Sequence, residues 1–341
     1  MQVFLNILFL ILGMVLLIYG ADFFVKGASG VAKRLKVPSL FIGLTIVAIG
    51  TSLPELSVSI AAAINKSVDL SVGNIVGSNM FNMLFILGIV ALIKPISTKN
   101  ISKKLDFTFF LGLTFILLLF SCDKYLNGTS ENIISRTESI ILLALVIIYT
   151  FLLILDAKKK KEAENVYKEF NGLENKESED KPKEEKILKV WQIILFLVLG
   201  LAAVVFGGEC VSKTAKFLAI KMGISETLVG LTIVAMGTSL PELATSVVAA
   251  KKGEVDLAVG NVIGSNIFNI GLILGTVGTI TQLPVTLNLI IDMAILLAFS
   301  IMFVVFCISK QKISRIEGGI LFASYLLYLT FIILRNYVFV I

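Results

Sequence analysis

Apolar residues run through this chain in long blocks, separated by short polar interruptions. A membrane-crossing helix needs roughly 20 mainly apolar residues. Ten stretches meet that requirement, at about 3–25, 38–63, 69–93, 105–122, 137–155, 190–212, 226–249, 256–280, 287–308 and 316–339. The first lacks a basic leading region and a small-residue cleavage site, so it is expected as a retained helix and not a removed signal peptide. Several of the ten carry polar residues deep inside the apolar run. Those residues direct the functional reading.

The pattern also repeats. Laid over itself at an offset of 187, the chain aligns Gly20–Ile93 onto Gly207–Ile280 without a gap. Between Gly43–Ile93 and Gly230–Ile280, 32 of 51 positions are identical, which only a duplication explains. GLTIVAIGTSLPEL (43–56) answers GLTIVAMGTSLPEL (230–243), and VDLSVGNIVGSNMFN (68–82) answers VDLAVGNVIGSNIFN (255–269). A weaker echo links SRTE (135–138) to SRIE (314–317). Each half holds five predicted spans, an odd number, so the second copy enters the membrane from the opposite side. The expected fold is an all-α integral membrane protein of ten transmembrane helices in two inverted-topology five-helix repeats. Secondary transporters use this plan, with a site near the midplane between the halves.

Composition agrees: the 341 residues are 57% hydrophobic and 16% charged, against about 45–50% and about 25% in ordinary soluble domains. Ten lysines and ten acids fall within 156–189, so the rest of the chain is greasier still. That divides the chain into a first repeat (1–156, motif 43–93), a charged linker (157–188) and a second repeat (189–341, motif 230–280). The linker reads as a solvated, disordered tether, too short for a folded regulatory domain. Of the Lys and Arg residues, 23 fall on one side of the predicted spans and 7 on the other. The asymmetry places the linker in the cytoplasm and both termini outside. The net charge of +6 therefore reports membrane orientation, and no nucleic-acid partner is expected. Histidine is absent, which removes imidazole metal sites and Ser–His or Cys–His catalysis. Cys122, Cys210 and Cys307 read as packing residues with no disulfide framework.

Glu55 and Glu242 fall mid-helix at equivalent places in the two copies. An ionisable group at that depth is costly and faces a cavity, a partner or an ion. Pro54 and Pro241 precede them and are expected to kink each helix, freeing the carbonyl of Gly50 or Gly237. Helical spacing puts Ala48, Thr51, Ser52 and Glu55 on one face, and likewise Ala235, Thr238, Ser239 and Glu242. In the following helix of each copy, Ser78 and Asn82, and Ser265 and Asn269, lie four apart. GxxxG at Gly73–Gly77 and Gly260–Gly264 permits close helix approach. The donors are all hard oxygen, which suits Ca²⁺ with its 6–8 flexible oxygen ligands; Mg²⁺ fits less well and soft metals find no ligand. Asp22, Glu209, Asp69, Asp256, Asp106 and Asp292 read as interfacial or capping acids, and Arg136 and Arg315 as partners for nearby acids.

At these motifs the sequence resembles the cation/calcium exchanger superfamily, specifically the sodium/calcium exchanger branch and its prokaryotic members. GTSLPE and GNxxGSNxFN are similar to that family's two α-repeats, and the paired match spans both halves. The resemblance implies Ca²⁺ moved one way and Na⁺ the other by alternating access, with the first and sixth helices sliding over a more rigid core. It implies Glu55 and Glu242 as principal Ca²⁺ ligands, assisted by the backbone carbonyls of Thr51 and Thr238. Ser52, Ser78, Ser239 and Ser265, with the carbonyls of Ala48 and Ala235, are then Na⁺ ligands, and Asn82 lies at the centre of the site. Asn269 departs from the family pattern, because several sodium/calcium exchangers carry Asp there. The pocket then has two formal negative charges, and the coupling ion stays open between Na⁺ and H⁺ or K⁺.

The rival from another class is a Ca²⁺ channel or leak, which needs no counter-ion. An intramembrane enzyme built on Ser29 of GASG (27–30) has no histidine to activate it. The expected partners are Ca²⁺, Na⁺ and the lipid bilayer, with no cofactor and no obligatory protein partner. The expected location is the plasma membrane of a prokaryote, the absent regulatory insert and the excess of Lys over Arg both pointing there.

Overall fold

The computed structural model describes residues 2–65, 68–102, 104–126, 131–170, 188–223, 235–309 and 311–338. The fold is helical throughout, with four two-residue strands as its only sheet among the described residues. Helix α1 (Gln2–Leu35) runs ten residues past its predicted end. No proline interrupts GASGVAKRL, and the chain turns at Lys36, which takes a left-handed conformation (φ 54°) just before Val37-Pro38.

The second predicted span is broken. Helix α2 (Ser39–Thr51) and helix α3 (Leu53–Ile64) meet at Ser52 with a bend of 41°. Helix α4 (Ser71–Ile93) follows, then the short α5 (Asp106–Phe120) and the long α6 (Arg136–Phe170). After the charged segment come α7 (Val190–Lys221), the turn α8 (Ala235–Gly237) and α9 (Leu240–Lys251). Helices α10 (Val255–Ile280) and α11 (Leu287–Ser309) lead to α12 (Arg315–Val338).

Seven of the described helices are long and apolar enough to cross a membrane, eight with the bent pair counted as one span. Helix α5 has 15 residues, about 22 Å at 1.5 Å per residue. Of the stretch expected over 226–249, residues 226–234 lie outside the described residues.

Over 157–170 of the 157–188 segment the expectation of a disordered tether needs correction. Helix α6 continues through Phe170, because KKKKEAENVYKEF is composed mostly of good helix formers. An Asp156–Lys160 bridge at 2.7 Å supports its start. Residues 171–187 of that segment lie outside the described residues. Cys122, Cys210 and Cys307 are free thiols, as expected.

Burial separates a centre from a periphery. In the apolar stretches of α4 and α10, 78% and 94% of residues are buried, against 17% in α1 and 22% in α7. Helices α4 and α10 are thus the core, and α1 and α7 pack mainly on each other at its side. A small cluster of Leu17, Ala21 and Val204, separate from the main core, joins that pair to α9.

Contacts between the copies are reciprocal. Asn79 Nδ2 donates to the Asn266 carbonyl and Asn266 Nδ2 to the Asn79 carbonyl, both at 3.2 Å. The short strands are exchanged in the same manner. Strand β1 (Ile96–Ser97) pairs antiparallel with β4 (Lys312–Ile313), and β2 (Ile133–Ile134) with β3 (Leu283–Pro284). At the offset of 187, β1 corresponds to β3. By the SRTE/SRIE echo, β2 corresponds to β4, so each copy lends one strand to each ladder. Strands β3 and β4 flank α11, so the ladders lie at opposite ends of that helix. Helix α4 runs into one ladder and its counterpart α10 into the other. Equivalent helices therefore run in opposite directions.

Candidate functional site

The broken helices position the acids. Ser52 leaves helical geometry (φ −83°, ψ 5°) and Ser239 does the same (φ −90°, ψ 8°), each as the N-cap of the next helix. Pro54 and Pro241 stand in the first turns of α3 and α9, where a missing N–H costs nothing. At the end of α2 the backbone N–H groups go to the Ala48 and Gly50 carbonyls. The Gly50 carbonyl, expected to be free, is thus taken up by the tight turn. Glu55 and Glu242 occupy the first turns of α3 and α9, where the positive end of the helix dipole favours a carboxylate.

Both glutamates are fully buried, and each is held by the other copy. Ser239 Oγ donates to Glu55 Oε1 at 2.9 Å, and Ser52 Oγ donates to Glu242 Oε1 at 3.1 Å. Neither serine caps its own helix with its side chain. Ser78 Oγ stands 3.5 Å from Glu55 Oε1, and Ser265 Oγ 3.5 Å from the Ala48 carbonyl, both at the outer limit of a hydrogen bond. Glu55 Oε2 and Glu242 Oε2 are buried without a partner among the described residues. Such a group costs free energy unless something else satisfies it, and a cation is the natural candidate.

Thr51 is buried, with its hydroxyl 3.1 Å from the Val47 carbonyl and 3.0 Å from Asn261 Oδ1. The equivalent Thr238 hydroxyl donates to Asn74 Oδ1 at 3.4 Å. Asn82 is buried with both side-chain polar atoms unpartnered among the described residues. Asn269 Nδ2 donates to Asn79 Oδ1 at 3.0 Å, and Asn269 Oδ1 has no described partner. Both asparagines lie in π-helical stretches, Phe81–Ile86 and Asn269–Leu274, a wider turn that recurs at functional sites. The stretch of Asn82 packs on α9 and that of Asn269 on α3. Of Ala235 only the backbone is described, opening α8. Among the described residues no cluster of three or more acidic, cysteine or histidine side chains forms. Among the described site residues named above, Glu55 and Glu242 are the only acids.

Four asparagines escaped the sequence reading: Asn74, Asn79, Asn261 and Asn266. All stand in the duplicated GNxxGSN motif, and that recurrence was the available signal. Of the other acids, Asp106 and Asp256 stand in first turns as expected, Asp22 and Glu209 lie well inside helices longer than expected, and the Asp69 side chain lies outside the described residues. Asp106 accepts from the Ser102 N–H at 2.8 Å and from Tyr149 at 3.2 Å. Asp256 accepts from Asn100 at 2.6 Å, and Glu209 pairs with Lys213 at 2.6 Å. Asp106 and Asp292 are both buried, and Asp292 is joined to Arg335 through two bonds of 2.9 Å. Arg136 bonds the Ile280 carbonyl at 3.3 Å and no acid among the described residues. Ser29 donates to Glu254 at 2.5 Å, a structural use of the GASG serine.

A helical membrane fold that gathers two buried carboxylates and a shell of hydroxyl and amide oxygens between duplicated halves defines a cation carrier. Comparison with known proteins narrows the class. The sodium/calcium exchanger protein family matches residues 5–155 and 192–334, and the chain belongs to it. The putative antiporter CaxA of Alkalimonas amylolytica is 36% identical over 327 residues, 94% of this chain and 96% of that protein. The sodium/calcium exchanger MaX1 of Methanosarcina acetivorans is 36% identical over 349 residues, 95% of this chain and 97% of that protein. The solved structure of the sodium/calcium exchanger from Methanococcus jannaschii superposes with a TM-score of 0.78 at 31% identity, covering 96% of this chain and 98% of that one. The family is one of membrane antiporters, not of enzymes.

Proposed function

We propose that this protein exchanges Ca²⁺ for Na⁺ by alternating access, with Glu55 and Glu242 as the carboxylates that both ions share. The observation that carries the reading is the crossed pair of bonds: each buried glutamate is held by a serine of the opposite copy. The carbonyls of Thr51 and Thr238 complete the Ca²⁺ site. Ser52, Ser78, Ser239, Ser265, the carbonyls of Ala48 and Ala235, and the amides of Asn82 and Asn269 serve Na⁺ or the centre of the site. Ten spans in two inverted five-helix repeats, 1–156 and 189–341, form the carrier. It lies in the plasma membrane of a prokaryote, with both termini outside and 157–188 cytoplasmic. The opposed directions of α4 and α10 support the inversion.

Two carboxylates without a counter-ion in a low-dielectric interior strongly disfavour crossing. Ca²⁺ neutralises them, and so does a set of Na⁺, but the overlapping sites exclude both at once. Crossing in either direction therefore needs a load, which enforces exchange.

Calcium flux in proteoliposomes tests this. Uptake is expected to follow an outward Na⁺ gradient, and Glu55→Gln and Glu242→Gln are expected each to lower it at least tenfold. Uptake that follows a K⁺ or pH gradient instead overturns the choice of coupling ion, since two acids flanked by two amides also suit those ions. Flux independent of any counter-ion makes the protein a channel. Normal exchange by either glutamine variant ends the site assignment.

A further inference from the structure

The amides at the crossing of α4 and α10 form a chain whose orientation is fixed from one end. The Asn266 backbone carbonyl only accepts, so the 3.2 Å bond from Asn79 requires the Asn79 NH₂ to face it. The Asn79 amide oxygen is then turned the other way, toward Asn269, where it only accepts. The 3.0 Å contact between them therefore takes the Asn269 NH₂. The Asn269 oxygen is left over, buried and without a partner among the described residues. It belongs to the stretch Asn269–Leu274 that packs on α3, the helix of Glu55.

The duplicated counterpart lacks this constraint. By symmetry, the Asn82 NH₂ should meet Asn266 Oδ1. Instead Asn82 Nδ2, Asn82 Oδ1 and Asn266 Oδ1 all stay unpartnered among the described residues. Of two equivalent amides beside the glutamates, one is preset and the other is free to turn.

We infer that Asn79 is a positioning residue, which fixes the Asn269 side chain with its oxygen presented to the transported cation and its NH₂ turned away. An NH₂ facing the site would repel a cation, whereas an amide oxygen coordinates Ca²⁺ or Na⁺. The inference rests on the proposed ion site and adds a residue that touches no ion itself.

Ca²⁺ binding to the purified full-length protein, measured by calorimetry, separates this role from a merely structural one. Asn79→Leu is expected to weaken Ca²⁺ binding about tenfold, the scale of one misdirected buried ligand. Asn266→Leu removes the reciprocal bond between α10 and α4 but leaves the Asn266 carbonyl, so binding should stay within twofold of wild type. Asn269→Ala should weaken binding by itself, and Asn79→Leu added to it should do nothing more, because the two act as one unit. Should Asn79→Leu not be recovered as folded protein, Asn79→Ser carries the same comparison. Equal losses in the Asn79 and Asn266 variants, or additive losses with Asn269→Ala, overturn the inference. A wild-type protein that binds no Ca²⁺ sinks the proposed site instead, a result distinct from either.

Discussion

At the scale of single residues, the central feature is a capping pattern put to another use. Ser52-Leu-Pro-Glu55 and Ser239-Leu-Pro-Glu242 both read S-x-x-E, the pattern in which serine and glutamate satisfy the backbone of their own helix. Here the serine hydroxyls reach across the two copies to the opposite glutamates. Ser52→Ala leaves Glu242 Oε1 unbraced, and Ser239→Ala leaves Glu55 Oε1 only the 3.5 Å contact with Ser78. The half-saturating Ca²⁺ concentration should rise several-fold in each variant, with the maximal rate less affected, as proteoliposome flux will show. If both alanine variants match wild type, the cross-braces do not shape the site. Spacing along one helix showed that Thr51, Ser52 and Glu55 share a face. It could not show the crossing, because that depends on how two helices distant in sequence meet. The same limit hid the amide chain through Asn79 and the Asp292–Arg335 pair. In that pair both side chains are at most 14% exposed. Arg335→Leu should then cost about 3–5 kcal/mol, because it strands a buried acid. A melting temperature in detergent unchanged from wild type would falsify that.

At the scale of elements, the apolar runs located the helices well and their ends poorly. Hydrophobicity marks where a helix is buried in lipid, and a helix continues into water wherever its residues allow. That is why α1 and α6 outrun their apolar stretches. The breaks at Ser52 and Ser239 were legible from the prolines, and the π-helical turns at Asn82 and Asn269 were not, since they answer to tertiary packing. Close approach fixes where α2 crosses α10. A Cβ at Gly43 would sit 2.5 Å from the Leu257 carbonyl, and one at Gly260 would sit 2.5 Å from the Leu40 carbonyl. These obstacles are backbone and cannot swing aside. Gly43→Ala and Gly260→Ala should each destabilise the protein by about 1–3 kcal/mol and lower exchange, because α2 leads directly to Ser52. Thermal unfolding beside flux is the check, and normal values of both would show that the crossing yields more easily than this packing implies.

At the scale of the whole molecule, the two copies are alike in the core and unlike at their margins. The exchanged ladders and the Asn79–Asn266 clamp tie α4, α10 and α11 into one body. Helices α1 and α7 stand outside it, held to each other where Gly207 approaches the Gly13 carbonyl. Among the described residues the attachment of that pair to the core is asymmetric. Asp22 meets Lys252 at 2.5 Å and Lys26 at 2.6 Å. Glu254 accepts from Ser29 at 2.5 Å and from Ser39 at 3.1 Å. Lys252 and Glu254 follow α9, so the Asp22–Lys252 and Ser29–Glu254 contacts fasten the second half of α1 to the core of the other copy, and the Ser39 contact fastens the start of α2. The duplicated position of Asp22 is Glu209, which meets only its own-helix neighbour Lys213 among the described residues. Asn65 stands where Lys252 does. Partly exposed pairs of this kind contribute about 0–1 kcal/mol each, too little to decide folding. The two on α1 together shift a balance between two placements of that helix by about tenfold. Lys252→Gln with Glu254→Gln should therefore leave the melting temperature nearly unchanged while hydrogen exchange quickens around residues 22–39. The matching part of α7 should keep its wild-type rate. Quickening in both helices would mean general loosening, and quickening in neither would mean that these polar contacts hold nothing in place.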